Sequence, residues 1–158
     1  MRNLFTQVDI AAPAAQIWAI LMDFPNYPRW NPFMRQMIQL PQGEDRLAIA
    51  LYPADRVVLR LTVRPEVIKS GRLLKWHGFF LHERLFSWDH QLELESRGET
   101  CTIRQTERLT GSGVWILPNA MVDPLRFGFA RMNMALRDHA EMLYRSEKYA
   151  EKRGLAPR

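Results

Sequence analysis

Residues 123–149, DPLRFGFARMNMALRDHAEMLYRSEKY, predict one long helix that decides the fold. Asp123 can accept a backbone N–H bond at a helix start, and Pro124 suits the first helical position because its missing N–H would be unpaired there anyway. Apolar side chains recur at helical spacing and form one stripe, which a long one-sided helix cannot leave in water. The stripe consists of Leu125, Phe129, Met132, Leu136, His139 or Ala140, and Leu143.

The rest of the chain reads as a sheet that can cover this stripe. Runs of alternating polarity, separated by Gly and Pro turns, predict a first strand, two short helices and then six strands. Consecutive strands joined by short turns form an antiparallel meander with one apolar face, and the long helix lies across that face. The fold class is therefore α+β, a curved antiparallel sheet of about seven strands around a long C-terminal helix. The strands are predicted at residues 3–10, 33–40, 46–52, 57–68, 73–80, 86–96 and 101–110.

The two short helices follow the first strand, and prolines limit both of them. Pro13 opens the first helix, which ends near Met22, and the run FPNYPRW at residues 24–30 allows only a short helical turn. We expect the rings of Trp18, Phe24, Tyr27 and Trp30 to pack as one cluster that closes an end of the sheet.

Composition indicates one soluble globular domain spanning residues 1–158. A chain of 158 residues has the length of a single domain, and 47% hydrophobic with 25% charged residues is ordinary for a soluble protein. The single cysteine, Cys101, favours a reducing compartment, and no secretory signal or transmembrane segment is expected. These features predict a cytoplasmic protein.

The chain is basic, with a formal net charge of +5. Its densest cationic cluster is the tail at residues 146–158, which is interpreted as a solvated, partly frayed helix end. Contact of this tail with an anionic membrane surface or with nucleic acid is the alternative, and no nucleic-acid-binding motif supports the latter. The sequence leaves open a monomer or a homodimer.

The last hairpin can be read in register. A turn at Gly98 and Glu99 pairs Arg97 with Thr100 and, further along, His90 with Glu107. A shift of one residue would mix the two faces of the hairpin, so the register is well specified. His90 and Glu107 are therefore expected as neighbours on the apolar face, with three alternatives open: a structural hydrogen bond, a polar contact for a ligand, or a general acid/base pair.

The preceding hairpin, around Ser70 and Gly71, turns Trp76 and Phe80 inward and His77 outward. The histidines share no metal spacing, although His139 on the helix stripe can reach the space between helix and sheet. No phosphate loop, nucleophile elbow or metalloprotease motif is present, so no metal or cofactor is predicted.

Two stretches resemble a known superfamily. Residues 10–33, IAAPAAQIWAILMDFPNYPRWNPF, are similar to the N-terminal signature of the START-like or SRPBCC superfamily, which includes polyketide cyclase/dehydrase-like and birch-pollen-allergen-like proteins. HQLEL at residues 90–94, QTE at 105–107 and Gly111 resemble its last hairpin. The resemblance implies a helix-grip fold with an apolar cavity between sheet and helix. Trp88 departs from the family pattern, and an indole pointing inward would fill part of that cavity.

The combined prediction is a protein that binds a small hydrophobic molecule, such as a lipid, a polyketide-like compound or an aromatic, between sheet and helix. The sequence favours binding over catalysis; the alternatives are a polyketide cyclase or dehydratase-like enzyme that uses His90 and Glu107, and a module that contacts a protein or a membrane. The candidate ligand-binding residues are Trp76, Phe80, Trp88, His90, Leu92, Leu94, Ile103, Gln105, Glu107, Phe129, Met132 and Leu136.

Overall fold

A single curved sheet grips a long C-terminal helix, as predicted for the helix-grip fold. The computed structural model describes residues 1–41, 46–54, 56–80, 82–116 and 118–154, without the side chains of residues 67, 68, 80 and 119–121. The elements, in chain order, are β1 (Arg2–Ile10), α1 (Ala14–Met22), a 3-10 turn (Phe24–Asn26), α2 (Tyr27–Trp30), β2 (Met34–Gln39), β3 (Leu47–Ala54), β4 (Val57–Lys69), β5 (Leu73–Phe80), β6 (Phe86–Arg97), β7 (Thr100–Thr110), a second 3-10 turn (Ser112–Ile116) and α3 (Asn119–Lys152).

The strands form one seven-stranded sheet in the order β1-β7-β6-β5-β4-β3-β2, and all neighbouring pairs are antiparallel. Strands β2 to β7 follow the meander expected from the short turns, while β1 pairs with β7. This arrangement leaves β1 and β2 at the two edges, where the helices pack.

Both hairpin registers predicted from the sequence are confirmed. Strand β6 pairs His90 with Glu107 on β7, and β4 pairs Pro65 with Trp76 on β5. The last turn is tight because Gly98 adopts a left-handed φ of 75°, a conformation that glycine reaches without steric cost. The predicted cross-strand pair therefore lies in the sheet as expected.

Helix α3 begins earlier than the sequence pattern predicts. Its first residue is Asn119, with the extended Pro118 preceding it, so Pro124 lies inside the helix and Asp123 is not the cap. Two prolines compete as start signals here. An internal proline gives up one intrahelical hydrogen bond, and near the N-terminus the packing of the helix over the sheet can offset that loss. The helix is 34 residues long.

The region between β1 and β2 forms most of the predicted aromatic cluster. The ring of Tyr27 contacts those of Phe24, at 5.9 Å, and Trp30, at 4.8 Å, and its hydroxyl donates to the carbonyl of Leu21 at 2.9 Å. Trp18 differs from the expectation: it is half-buried against the core, and the described ring contacts do not include it. The cluster therefore has three members and continues into the sheet through Trp76, which contacts Phe24 at 6.3 Å.

The C-terminal end of α3 carries cations that contact other side chains. Lys148 forms an ion pair with Glu99 of the β6–β7 turn at 3.0 Å, and Arg153 lies over the ring of Tyr149 at 4.8 Å. The helix runs through Lys152, so residues 146–152 of the predicted basic tail are helical; residues 155–158 lie outside the described part of the chain.

Candidate functional site

A cavity of about 530 Å³ lies between the sheet and the N-terminal half of α3. This volume is within the range of small-molecule sites. Its walls are apolar except for Arg60, His90 and Glu107. The lining residues are Met34, Ile49, Leu51, Val58, Leu59, Arg60, Leu61, Trp76, Phe86, Trp88, His90, Glu107, Leu109, Leu125 and Phe129.

The cavity opens at one end. The lining side chains that water reaches most easily lie at the start of β4, where Val58 and Leu59 are each 39% exposed. The inner wall is closed by Trp76 and Phe129, which are 2% and 6% exposed. A molecule in the cavity would therefore enter past the start of β4 and stop against aromatic rings.

His90 and Glu107 form the polar part of the inner wall. They are cross-strand partners, and Nδ1 of His90 is hydrogen-bonded to Oε1 of Glu107. The imidazole is stacked against two rings, with its centroid 5.0 Å from that of Trp76 and 5.1 Å from that of Phe129. A hydrogen bond at one nitrogen and two stacked rings leave the imidazole little freedom to rotate.

The second ring nitrogen of His90 has no hydrogen-bond partner in the part of the chain that the structure describes. Nε2 is buried, and no described residue forms a hydrogen bond with it. An unpaired buried polar atom costs about 1–3 kcal/mol, so such atoms are rare unless something binds them. His90 therefore brings an unpartnered polar atom to the lining of the cavity.

The carboxyl group of Glu107 is in an environment that disfavours its charge. Burial raises the pKa of Glu107, because removal from water penalises the carboxylate, and the adjoining His90 acts in the opposite direction. The site therefore favours keeping a proton on the pair rather than leaving a net negative charge inside an apolar cavity.

Trp88 lies against the sheet instead of crossing the cavity. Its cross-strand neighbour on β5 is Gly78, and a Cβ atom built on that glycine would stand 2.9 Å from the six-membered ring of the indole. The missing side chain lets the indole lie close to the backbone. Trp88 therefore forms part of the cavity wall, and a space of about 530 Å³ remains beside it.

The structure places five of the predicted site residues on the cavity and most others in a closed core. Trp76, Trp88, His90, Glu107 and Phe129 line the space. Gln105 is buried beside them but accepts a hydrogen bond from Thr6 at 3.0 Å. The side chain of Phe80 lies outside the described residues. The closed core contains Leu92, Leu94, Ile103, Met132 and Leu136.

Sequence reasoning missed the wall made by β3 and β4. Ile49 pairs with Leu61, and Leu51 pairs with Leu59, so alternate residues of both strands share the cavity face. The alternation of Leu59 and Leu61 with polar residues was visible in the sequence, but which end of the sheet the helix leaves uncovered was not. His139 does not line the cavity; its ring stacks on that of Trp30 at 6.3 Å.

Outside the cavity, the described residues show no group of three or more His, Cys, Asp or Glu side chains arranged to hold a metal ion. Nor does any helix within the described ranges have the length and apolar character needed to cross a bilayer.

The histidine on the outer face, His77, is hydrogen-bonded to Asp89 at 2.8 Å and to Glu83 at 3.0 Å, and these carboxylates raise its pKa.

Comparison with solved structures identifies the same fold in several proteins. A START superfamily protein from Mycobacterium smegmatis superimposes with a TM-score of 0.70 at 15% identity, covering 89% of this chain and 98% of that one. Ara h 8.0201 gives 0.68 at 10% identity, with 88% and 97% covered. The Zhui aromatase/cyclase from Streptomyces sp. R1128 gives 0.66 at 15% identity, with 89% and 93% covered. At these identities the likeness concerns the fold alone.

Sequence comparison gives the family. No curated protein matches the chain significantly. Residues 1–141, which include every residue on the cavity, match the family described as polyketide cyclase/dehydrase and lipid transport. With a match over most of its length and the helix-grip architecture around a cavity, the chain belongs to the polyketide cyclase/dehydrase and lipid transport family.

Proposed function

We propose that the protein binds a small, largely apolar molecule that carries one hydrogen-bond-accepting oxygen. The observation that supports this most directly is the buried, unpartnered Nε2 of His90 in the wall of a largely apolar cavity. Walls built from Trp76, Trp88 and Phe129 suit a flat aromatic or polyketide-like ring system better than a flexible chain.

Counting the protons of the His90–Glu107 pair indicates that Nε2 carries an N–H. If the His90–Glu107 pair is neutral overall, one proton lies between Nδ1 and the carboxyl group, and the ring's other nitrogen carries an N–H. An apolar cavity favours this uncharged total over a net negative pair. Nε2 then donates a hydrogen bond, and its partner is an acceptor such as a ketone, ester or quinone oxygen.

A matched pair of probes tests the proposal. 2-Acetylnaphthalene carries a carbonyl oxygen, whereas 2-isopropenylnaphthalene has nearly the same shape without an acceptor. One hydrogen bond of about 1 kcal/mol predicts that the wild type binds the ketone roughly fivefold more tightly. The double variant His90→Phe/Glu107→Leu keeps the apolar volume and should lose this preference.

The two probes separate the outcomes. Failure of the wild type to bind either compound would reject the cavity as a ligand site. Equal affinity for both compounds in the wild type would leave an apolar binding site but reject the role of Nε2. Calorimetric titration and thermal unfolding of each variant distinguish lost binding from lost folding.

A catalytic use of the same pair is the second candidate, favoured by the unpartnered nitrogen of a histidine that lines the cavity. In an intramolecular aldol closure, Nε2–H of His90 can donate a proton to the ketone oxygen that is attacked, while the carboxylate of Glu107 accepts the proton of the attacking α-carbon, so the total charge of the pair is unchanged. The loss of water that follows returns the proton of Glu107 to the leaving hydroxyl group and transfers an α-proton to Nε2 of His90. Heptane-2,6-dione tests this, since it cyclises to 3-methylcyclohex-2-enone with loss of one water. Acceleration by the wild type that disappears in the double variant would support catalysis, and an unchanged rate would leave binding alone.

Localisation and assembly stay predictions. Cys101 is buried, and burial raises its thiol pKa to about 11, so the single cysteine does not report on the redox state of its compartment. Cytoplasmic expression and size-exclusion chromatography with light scattering test the predicted location and the choice between monomer and homodimer.

A further inference from the structure

Large apolar side chains are exposed on segments that adjoin the cavity lining. Trp115 and Ile116, on the turn before α3, are 77% and 81% exposed. Val57 at the start of β4 and Leu85 before β6 are also exposed. Single exposed apolar residues are common, but a concentration on segments that adjoin a cavity lining indicates an interaction site.

Backbone contacts hold these segments together. The N–H groups of Ser112 and Gly113 donate to the carbonyls of Arg84 and Leu85, at 2.9 Å and 3.0 Å. The Ser112–Ile116 turn therefore lies beside the β5–β6 loop and leads into α3. Val58 and Phe86, which are close in sequence to the exposed residues, line the same cavity. We call the exposed side chains Val57, Leu85, Trp115 and Ile116 the mouth surface.

Unpaired cations accompany the mouth surface. Arg60, Arg84 and Arg126 are exposed, and their guanidinium groups form no ion pair with any described residue. The nearby acid Glu83 is already engaged by His77 at 3.0 Å. These three arginines therefore leave positive charge available to an outside partner on the segments that carry the mouth surface and on α3.

We propose that the mouth surface docks the protein onto bilayers that contain anionic phospholipid, with Trp115 and Ile116 entering the boundary between headgroups and acyl chains. Tryptophan is favoured at that boundary, and arginines close to the surface are attracted by anionic headgroups. Two neighbouring side chains at about 80% exposure project from a short turn, a shape that suits insertion into lipid better than a concave protein interface.

This docking would place the cavity opening against the acyl chains. An apolar molecule could then pass between bilayer and cavity without crossing water. The inference does not depend on which molecule the cavity takes, because it rests on the outer surface and its charges.

Vesicle co-sedimentation tests the proposal. The wild type should bind phosphatidylcholine vesicles containing phosphatidylserine and bind pure phosphatidylcholine weakly. Trp115→Ala/Ile116→Ala should lower the affinity for the mixed vesicles about tenfold or more, since it removes the inserted side chains. Arg84→Gln/Arg126→Gln should lower it by about tenfold at low salt and less at high salt.

Matched control variants keep the test specific. Phe5→Ala/Ile38→Ala removes two apolar side chains that are 58% and 56% exposed on the edge strands, and Lys152→Gln/Arg153→Gln removes two charges from the tail. Neither control should change the affinity by more than about twofold. Absence of wild-type binding to the mixed vesicles, or an equal loss in the controls, would overturn the proposal.

Failure of docking and failure of ligand binding are distinguishable. The naphthalene probes are titrated without vesicles, so their binding depends on the cavity alone. Trp115→Ala/Ile116→Ala should leave that binding and the thermal unfolding midpoint unchanged. If that variant loses folding as well as vesicle binding, the single variant Trp115→Ser replaces it in the test. This change keeps the rest of the turn intact and should still weaken vesicle binding.

Discussion

The two halves of the interface between sheet and α3 differ, although the same elements form both. In one half, Leu92 and Leu94 of β6 meet Met132 and Leu136 of α3, and no side chain there is more than 2% exposed. In the other half, two to four residues earlier on β6, Trp88 and His90 border a cavity of about 530 Å³. One half is packed solid and the other is hollow.

The side chains explain the difference. Branched and flexible aliphatic side chains point across the interface and interdigitate, which fills it to the density of a protein interior. In the hollow half, the rings lie against the sheet or against each other. Trp88 lies on Gly78, and His90 is stacked against Trp76 and Phe129, so these bulky residues form the walls and do not extend across the cavity. Large residues therefore do not by themselves fill a cavity.

The largest expected effect separates the two halves directly. Leu136→Ala leaves a void in the packed half and should lower the free energy of unfolding by about 2–5 kcal/mol, measured by urea denaturation. Leu59→Ala, in the wall of the hollow half, should lower it by less than about 1 kcal/mol, because that side chain is 39% exposed and already borders empty space. Similar losses in both variants would contradict the division into packed and hollow halves.

The second effect concerns the buried pair in the hollow half. His90→Ala and Glu107→Ala should each destabilise the protein by about 1–3 kcal/mol, since each leaves the other group buried without its partner. His90→Phe/Glu107→Leu should cost less than the sum of the single changes, because no unpaired group remains. A double-mutant cycle in urea measures this coupling, and simple additivity would show that the two groups do not stabilise each other.

The third expected effect is smaller on the free energy of unfolding and larger on the affinity for a ligand. Gly78→Ala should push the indole of Trp88 into the cavity, at about 1 kcal/mol of overpacking, and should weaken binding of 2-acetylnaphthalene. Gly78→Ala/Trp88→Phe serves as the matched variant, since the shorter ring avoids the new methyl group and should restore binding. Unchanged affinity in Gly78→Ala would mean that the position of Trp88 does not set the cavity volume.

The smallest effect lies on the outer face of the hollow half. Hydrogen bonds to Asp89 and then Glu83 raise the pKa of His77, so the stabilisation is complete below the ordinary value of 6.5 and is lost as the pH rises through the folded-state pKa. For an exposed pair we expect no more than about 1 kcal/mol. Wild-type stability relative to His77→Gln should therefore fall with rising pH in thermal unfolding, and a constant difference would contradict this.

The sequence predicted the fold well where local rules decide it. Gly98 fixes the last turn, and the alternation of β6 and β7 then determines the His90–Glu107 pairing. It predicted the helix start less well, because Pro118 and Pro124 both look like start signals. The sequence placed candidate lining residues on both sheet and helix, and five of them border the cavity. The extent of the cavity depends on where rings lie flat, and that depends on long-range neighbours such as Gly78 and Trp88.

The close contact between an aromatic ring and a glycine, as between Trp88 and Gly78, limits how such a protein can change during evolution. Every nucleotide substitution that replaces a glycine codon by that of another amino acid introduces a Cβ atom, so any change at Gly78 must displace Trp88 while the indole remains above it. The same holds for Gly113 beneath Phe86. Adaptation to a larger or smaller ligand is thus expected to proceed first through the ring positions, and a change at the glycine loses its packing cost only after the ring has been replaced.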